Sequence, residues 1–327
     1  MAELDRQIIT IANQWAKNNI AFAIALVTKS WGSSPRQAGA LMLIAKDGQL
    51  AGSVSGGCVE SDVINAAQDC LADRRMADLS FGISDERAWS NGLSCGGNID
   101  VLIVPQTDAF LSKRQLFDIN AHYENRTTGT LAINTATGQC HLSSEADNAD
   151  DKDDKTPSAK RPIIPFTITP ARQLIIIGAN HIAQHLTMLA DQVGFDVVVI
   201  DPRDDFITKT RFPIGTRKAH WPDDCLAPDD CDANSAVITL THNPVIDDQA
   251  LTIAMASKAR HIAALGSQKT HAKRLLRLSE AGFDDTSLQR IKGPAGLPIG
   301  SATPAEIALS ILAEVVAAFR GRLPWQE

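Results

Sequence analysis

The chain has 327 residues, 44% of them apolar and 21% charged, the balance of a soluble globular protein long enough for two domains. Net charge is −7, no basic block stands out and tyrosine occurs once, which excludes both the electrostatic footprint and the stacking platform of a nucleic-acid binder. The six cysteines Cys58, Cys70, Cys95, Cys140, Cys225 and Cys231 are scattered and do not make a disulfide framework. No run reaches the roughly 18 apolar residues of a membrane span, and the first residues lack a basic leader. The expectation is no membrane and a reducing cytoplasm.

In chain order, Leu4, Ile8, Ile11, Ala12 and Trp15 recur at helical spacing over 4–17. An apolar run over 20–28 reads as a buried strand. Apolar runs at 40–45 and 50–52 flank Lys46-Asp47-Gly48-Gln49, and Asp-Gly between such runs signals a hairpin. Gly52-Ser53-Val54-Ser55-Gly56-Gly57-Cys58-Val59-Glu60 then turns on glycines into a helix whose face is Val59, Val63, Ile64, Ala67, Cys70 and Leu71. A glycine turn feeding a helix offers free backbone N–H groups and the positive end of the helix dipole, an anion site. The same field favours a thiolate at Cys58. Taken alone, the stretch reads first as a tight strand-to-helix turn with a packed cysteine, because glycine-rich turns are common. A second glycine-and-cysteine turn, Ser90-Asn91-Gly92-Leu93-Ser94-Cys95-Gly96-Gly97, leads into a strand over 99–105; a helix over 111–124 and a short strand over 128–134 follow. The spacing predicts an α+β domain over 1–142 with a mixed sheet. From 143 to 161 the chain has no large apolar residue, so 143–169 is expected to be an acidic linker, disordered in part.

The second half, 170–327, alternates strands and helices. The apolar run 173–177 enters Gly178-Ala179-Asn180-His181, a helix follows with Ala183, Leu186 and Ala190 on one face, Gly194 stops it, and the run 195–200 ends in Asp201. That βαβ unit predicts a Rossmann-like doubly wound parallel sheet, so the whole chain is α/β. The fingerprint departs at its second glycine, where Asn180 adds a side chain against an approaching pyrophosphate; Ala183 at the third position is tolerated. Strand ends bring Gly178, Asp201, His242, Asn243, Gly266 and Ser267 to one rim, and Gly178, Asn180, His181, Asp201 and His242 are the binding candidates there. The loop 222–231, with Cys225 and Cys231 but no partnering ligand pair, makes a poor zinc site and receives no role. Thr303, Pro304 and Glu306 make a capping box for an apolar final helix, which gives Glu306 a backbone task rather than a catalytic one.

Together these segments resemble the XdhC/CoxI family, the accessory factors of molybdenum hydroxylases. The resemblance rests on Gly32-Ser33-Ser34-Pro35-Arg36 with Gly39-Ala40, Gly52–Glu60 and Gly92–Gly97, and on Gly178–Ala183, Thr241-His242-Asn243, Gly266-Ser267, Gly296–Gly300 and Pro304–Ala308. It implies a maturation factor rather than an enzyme. Such a factor would carry molybdenum cofactor (molybdopterin), support its sulfuration by a cysteine desulfurase and deliver it to a xanthine dehydrogenase-type hydroxylase. Under that reading Ser55, Gly56, Gly57, Gly96 and Gly97 would let backbone approach the cofactor and Arg36 would fork onto its phosphate or a pterin carbonyl. Cys58 and Cys95, facing one cleft, would touch the molybdenum end, since thiolates suit soft metal–sulfur centres. The apolar final helix suggests a homodimer. The competing reading is an NAD(P)-dependent oxidoreductase using Gly178 and Asp201; a third is a module that only docks to the partner dehydrogenase.

Overall fold

The computed structural model describes residues 2–3, 5–31, 36–82, 98–108, 110–134, 136–144 and 163–322. They form two compact units, Met1–Pro170 and Ala171–Glu327.

The first unit runs β1 (Ala2–Glu3), α1 (Arg6–Lys17), β2 (Phe22–Trp31), β3 (Leu41–Ala45), β4 (Leu50–Gly52), α2 (Glu60–Asp73), β5 (Ala77–Phe81), β6 (Asn98–Pro105), α3 (Lys113–Glu124), β7 (Gly129–Asn134), β8 (Cys140–Ser144) and β9 (Ile163–Ile168). One sheet has the order β4-β3-β2-β6-β5, antiparallel throughout. The other has the order β1-β9-β7-β8, mixed because β1 runs parallel to β9. The Asp47-Gly48 turn joins β3 to β4 as expected, pairing Met42 with Gly52 and Ile44 with Leu50. Strand β2 reads as a continuous apolar run because both its faces are covered. Phe22, Ile24 and Leu26 enter a core shared with α1, α3, β7 and β9, while Ala23, Ala25 and Val27 meet Val59, Val63, Ala67 and Cys70 at the start and along one face of α2. The stretch 143–169 is therefore not all linker. Ile163–Ile168 is a strand of the first unit, with Phe166 and Ile168 fully buried opposite β7, and the apolar content of that short segment outweighs its acidic approach. Strand β5 covers part of a stretch, 73–78, that reads as polar; it is an alternating edge strand with every second residue half-buried.

The second unit places β10 (Gln173–Ile177) at the centre of a six-stranded parallel sheet. Its neighbours are β11 (Asp196–Ile200), β12 (Thr216–Lys218), β13 (Ser235–Thr239), β14 (His261–Ala264) and β15 (Ile291–Lys292), in the order β12-β11-β10-β13-β14-β15. Leu174 and Ile176 face a core with α4 (His181–Gln192) and the last helix; Ile175 and Ile177 face α6 (Pro244–Ala256), α7 (Gln268–Glu280) and α8 (Asp285–Gln289) on the other side. The 222–231 loop contains the one-turn α5 (Pro222–Cys225). The last helix, α9 (Pro304–Arg320), opens with the expected capping box: Glu306 N donates to Thr303 Oγ1, and Thr303 N donates to Glu306 Oε2 at 2.9 Å. Ala308, Ile311, Leu312 and Val315 of α9 are buried in this unit's own core. The apolarity that suggested a homodimer is thus accounted for within the chain. The order with β10 and β13 side by side is that of a Rossmann-like doubly wound sheet, and the crevice at its strand carboxyl ends is the rim of interest.

Candidate functional site

The Gly52–Glu60 turn folds around a carboxylate. Glu60 Oε1 accepts from Ser53 Oγ at 2.6 Å, Ser55 N at 2.9 Å and Gly56 N at 3.1 Å. Its Oε2 accepts from Ser55 Oγ at 2.5 Å, Gly57 N at 2.9 Å and Val59 N at 3.2 Å. Successive amides can converge this way because Gly56 and Gly57 have φ of +87° and +122°. At Gly57 a Cβ would meet nothing within 4 Å, so the backbone angle, not crowding, calls for glycine. Partial burial would raise the Glu60 carboxyl, but the bonds from Ser53 and Ser55 outweigh it and hold the group down at about 2. The amides that the sequence offers to a phosphate are, in the folded chain, donors to Glu60. Sequence reading missed that role, although an acid in the first turn of a helix behind a glycine nest is the available signal.

Cys58 lies inside this network. Its N–H donates to Ser55 Oγ at 2.9 Å, as does that of Val59 at 3.1 Å, and its thiol is half-buried. Arg36 comes to the same turn: Nε donates to Ser53 O at 3.1 Å and Nη2 to Asp5 Oδ2 at 3.1 Å. The structure therefore brings Arg36, Ser55, Gly56, Gly57 and Cys58 together, with the Arg36 fork holding the turn to the start of α1. Cys95, Gly96 and Gly97 lie outside the described residues, as do Gly32–Pro35. Burial pushes the Cys70 and Cys225 thiols up and Cys140 up to about 12, so none of these three offers a thiolate. Among the described residues no group of three or more His, Cys, Asp or Glu side chains could hold a metal ion.

On the rim of the second unit the polar side chains serve the helices that start there. Asn180 Oδ1 caps α4 by accepting from Ala183 N at 2.9 Å, and its Nδ2 donates to Leu240 O at 2.7 Å. Asn243 caps α6 through Val245 N, and Ser267 caps α7 through Thr270 N. Asp201 is fully buried; Oδ2 accepts from Ala179 N at 2.7 Å and Arg203 Nη2 at 2.7 Å, and Oδ1 from Arg203 N and Nε. Burial works to raise its carboxyl, and the Arg203 and Ala179 bonds overcome that and lower it. Gly178, at φ +105°, is required by its neighbour: a Cβ there would lie 2.6 Å from Thr241 Cγ2. His181 and His242 are both exposed. A ribose hydroxyl would have to displace Arg203, and a pyrophosphate would have to displace the Asn180 cap. Deeper, Asp247 accepts from Thr241 Oγ1 at 2.6 Å and faces the buried Arg274 at 3.6 Å; Glu314, 1% exposed, accepts from Gly296 N and faces His261 at 3.5 Å.

A cysteine-bearing turn beside an antiparallel sheet in one unit, and a six-stranded Rossmann-like parallel sheet in the other, place the molecule among two-unit α/β proteins. The family is narrower than that class. Residues 15–82 match the XdhC and CoxI family and residues 174–315 match the XdhC Rossmann domain, so the chain belongs to the XdhC/CoxI family. A protein from Bacillus subtilis (strain 168), described as a probable subunit of xanthine dehydrogenase, is 28% identical over 310 residues, covering 90% of this chain and 92% of that protein. The molybdenum cofactor insertion chaperone PaoD from Escherichia coli (strain K12) is 25% identical over 319 residues, 95% of this chain and 87% of its own. The uncharacterized protein YqeB of the same organism is 25% identical over 311 residues; this chain spans 46% of its length. A crystal structure from Bacillus halodurans, described as a xanthine dehydrogenase, shares the fold with a TM-score of 0.77 at 24% identity, covering 98% of this chain and 97% of that one.

Proposed function

We propose that this protein is an accessory factor that carries molybdenum cofactor as cargo and delivers it to a xanthine dehydrogenase-type molybdenum hydroxylase, with a cysteine desulfurase supplying sulfur while the cofactor is held. The observation that carries the reading is the half-buried Cys58 thiol on a turn locked from both sides by Glu60 and Arg36, within the segment that matches the XdhC and CoxI family. The names of the relatives from B. subtilis and E. coli favour the same role. The cargo presents a metal–sulfur end and a phosphate end. A thiolate from Cys58, with Cys95 as its partner, suits the first. The amides of the Gly52–Glu60 turn do not suit the second, because Glu60 already takes them. The phosphate end therefore belongs elsewhere on the chain.

Anaerobic purification followed by metal analysis and pterin fluorescence tests this. Cys58→Ala and Cys95→Ala are each expected to lower co-purifying molybdenum and pterin together. Unchanged content in both variants would refute the thiolate contact. Calorimetric titration with NADH and NADPH tests the oxidoreductase reading, which the capped and closed rim at Asn180 and Asp201 speaks against.

A further inference from the structure

We infer that Glu60 is the positioning residue of the Cys58 turn: its carboxylate is the anion that the turn's amides hold, and through Ser55 it fixes the backbone from which the thiol projects. This rests on the reading that Cys58 touches the cargo. Six donors converge on one side chain, three to each oxygen, from residues 53, 55, 56, 57 and 59. Those residues flank Cys58 on both sides.

Cys58 itself is reached through a relay. The Ser55 hydroxyl donates a hydrogen bond to Glu60 Oε2, which leaves its lone pairs facing the N–H groups of Cys58 and Val59. With Oε2 absent, the Ser55 hydroxyl would be free to rotate and both amides would lose their common acceptor. The geometry also decides against the plainer alternatives. A glycine nest built for an outside anion would leave its N–H groups open, whereas here they are fully matched. A carboxylate serving only as helix charge would need no bonds to residues five and seven positions upstream.

Glu60→Gln keeps the shape of the side chain but turns one three-donor oxygen into an NH2 facing three donors. The experiment follows iodoacetamide alkylation of Cys58 and of Cys70 by peptide-resolved mass spectrometry, together with hydrogen exchange of residues 53–59. Cys70 is the control, since it is buried on the same helix. The expected result is amide exchange and Cys58 alkylation faster by about tenfold or more, the ratio that corresponds to one lost charge-assisted contact, with Cys70 unchanged. Glu60→Asp, which keeps the charge, should recover part of the protection. Three results would overturn the inference: an unchanged Cys58; Cys58 and Cys70 speeding up together, which is general loosening; or inorganic phosphate binding more tightly to Glu60→Gln with the amides still protected, which makes Glu60 a stand-in for a ligand. If Glu60→Gln does not fold, Ser55→Ala cuts only the relay and gives the same readout. The two readings fail separately. A mobilised turn in Glu60→Gln beside an undiminished cargo in Cys58→Ala removes the cargo reading alone; the reverse pattern removes the positioning role alone.

Discussion

Gly178 looks like the first glycine of a nucleotide fingerprint, yet the structure gives it a reason that needs no nucleotide. Gly178→Ala would place a Cβ 2.6 Å from Thr241 Cγ2 and 3.2 Å from Thr241 N, at a φ of +105°. The backbone strain is worth about 1–3 kcal/mol and the overpacking about as much again, so a loss of about 4 kcal/mol is expected. Thr241→Ser separates the two contributions. It removes the clashing methyl group and keeps the hydroxyl that donates to Asp247. By itself it should destabilise by about 1 kcal/mol, the value of a buried methyl. In the double variant the worst clash is relieved while the backbone contact and the strain remain, so the two changes together should be less harmful than their sum by about 1–2 kcal/mol. Urea unfolding of all four proteins, followed by hydrogen exchange in the second unit, reads this coupling. Additivity within about 0.5 kcal/mol would refute the steric account.

Asn180→Ala removes both the α4 cap and the tie to Leu240 O, and should lower the thermal stability of the second unit by about 2 kcal/mol, measured by calorimetry. Glu314→Ala leaves the Gly296 amide without its buried acceptor and should destabilise by about 2–3 kcal/mol, with faster exchange at Gly296; Glu314→Gln, which keeps a carbonyl oxygen, should recover most of it. Burial pushes the Asp247 carboxyl from its usual 3.8 up to about 6, against the Thr241 bond and the Arg274 charge that pull it down. A raised native value contributes stability that is fully present below pH 4 and is lost as pH rises through 6. Denaturant titrations of the second unit between pH 4 and pH 7 should show that decline, on the order of 2 kcal/mol, and Asp247→Asn should flatten it.

The architecture was legible where one signal dominates. The apolar runs at 20–28 and 173–177, the Asp47-Gly48 turn and the Thr303 capping box all appear where their patterns place them. Strand β9 was hidden because its six residues follow a long acidic stretch and owe their order to pairing with β7, from Asn134 opposite Ile163 to Gly129 opposite Ile168, a separation that no local window contains. Around Cys58, the structure brings Arg36 to the turn, while Cys95, Gly96 and Gly97 lie outside the described residues. The chemistry of the turn was less legible. Whether an amide nest is open depends on where one nearby carboxylate points, and sequence does not show the rotamer of Glu60. On the other rim, Asn180, Asn243 and Ser267 all stand at helix starts. Residues good at capping are also good at binding, and only the bonds they make tell the two apart.

Asp5 links two tasks. One oxygen accepts from Ile8 N to start α1, and the other takes Arg36, whose Nε grips Ser53 at the base of the cysteine turn. Asp5 is thereby tied to Ser53, two bonded contacts away, and Glu60 and Ser55 carry the connection on to Cys58. Removing the Asp5 carboxylate would take a partner from the Arg36 guanidinium and slacken its hold on Ser53, so the start of α1 and the cysteine turn respond to one substitution.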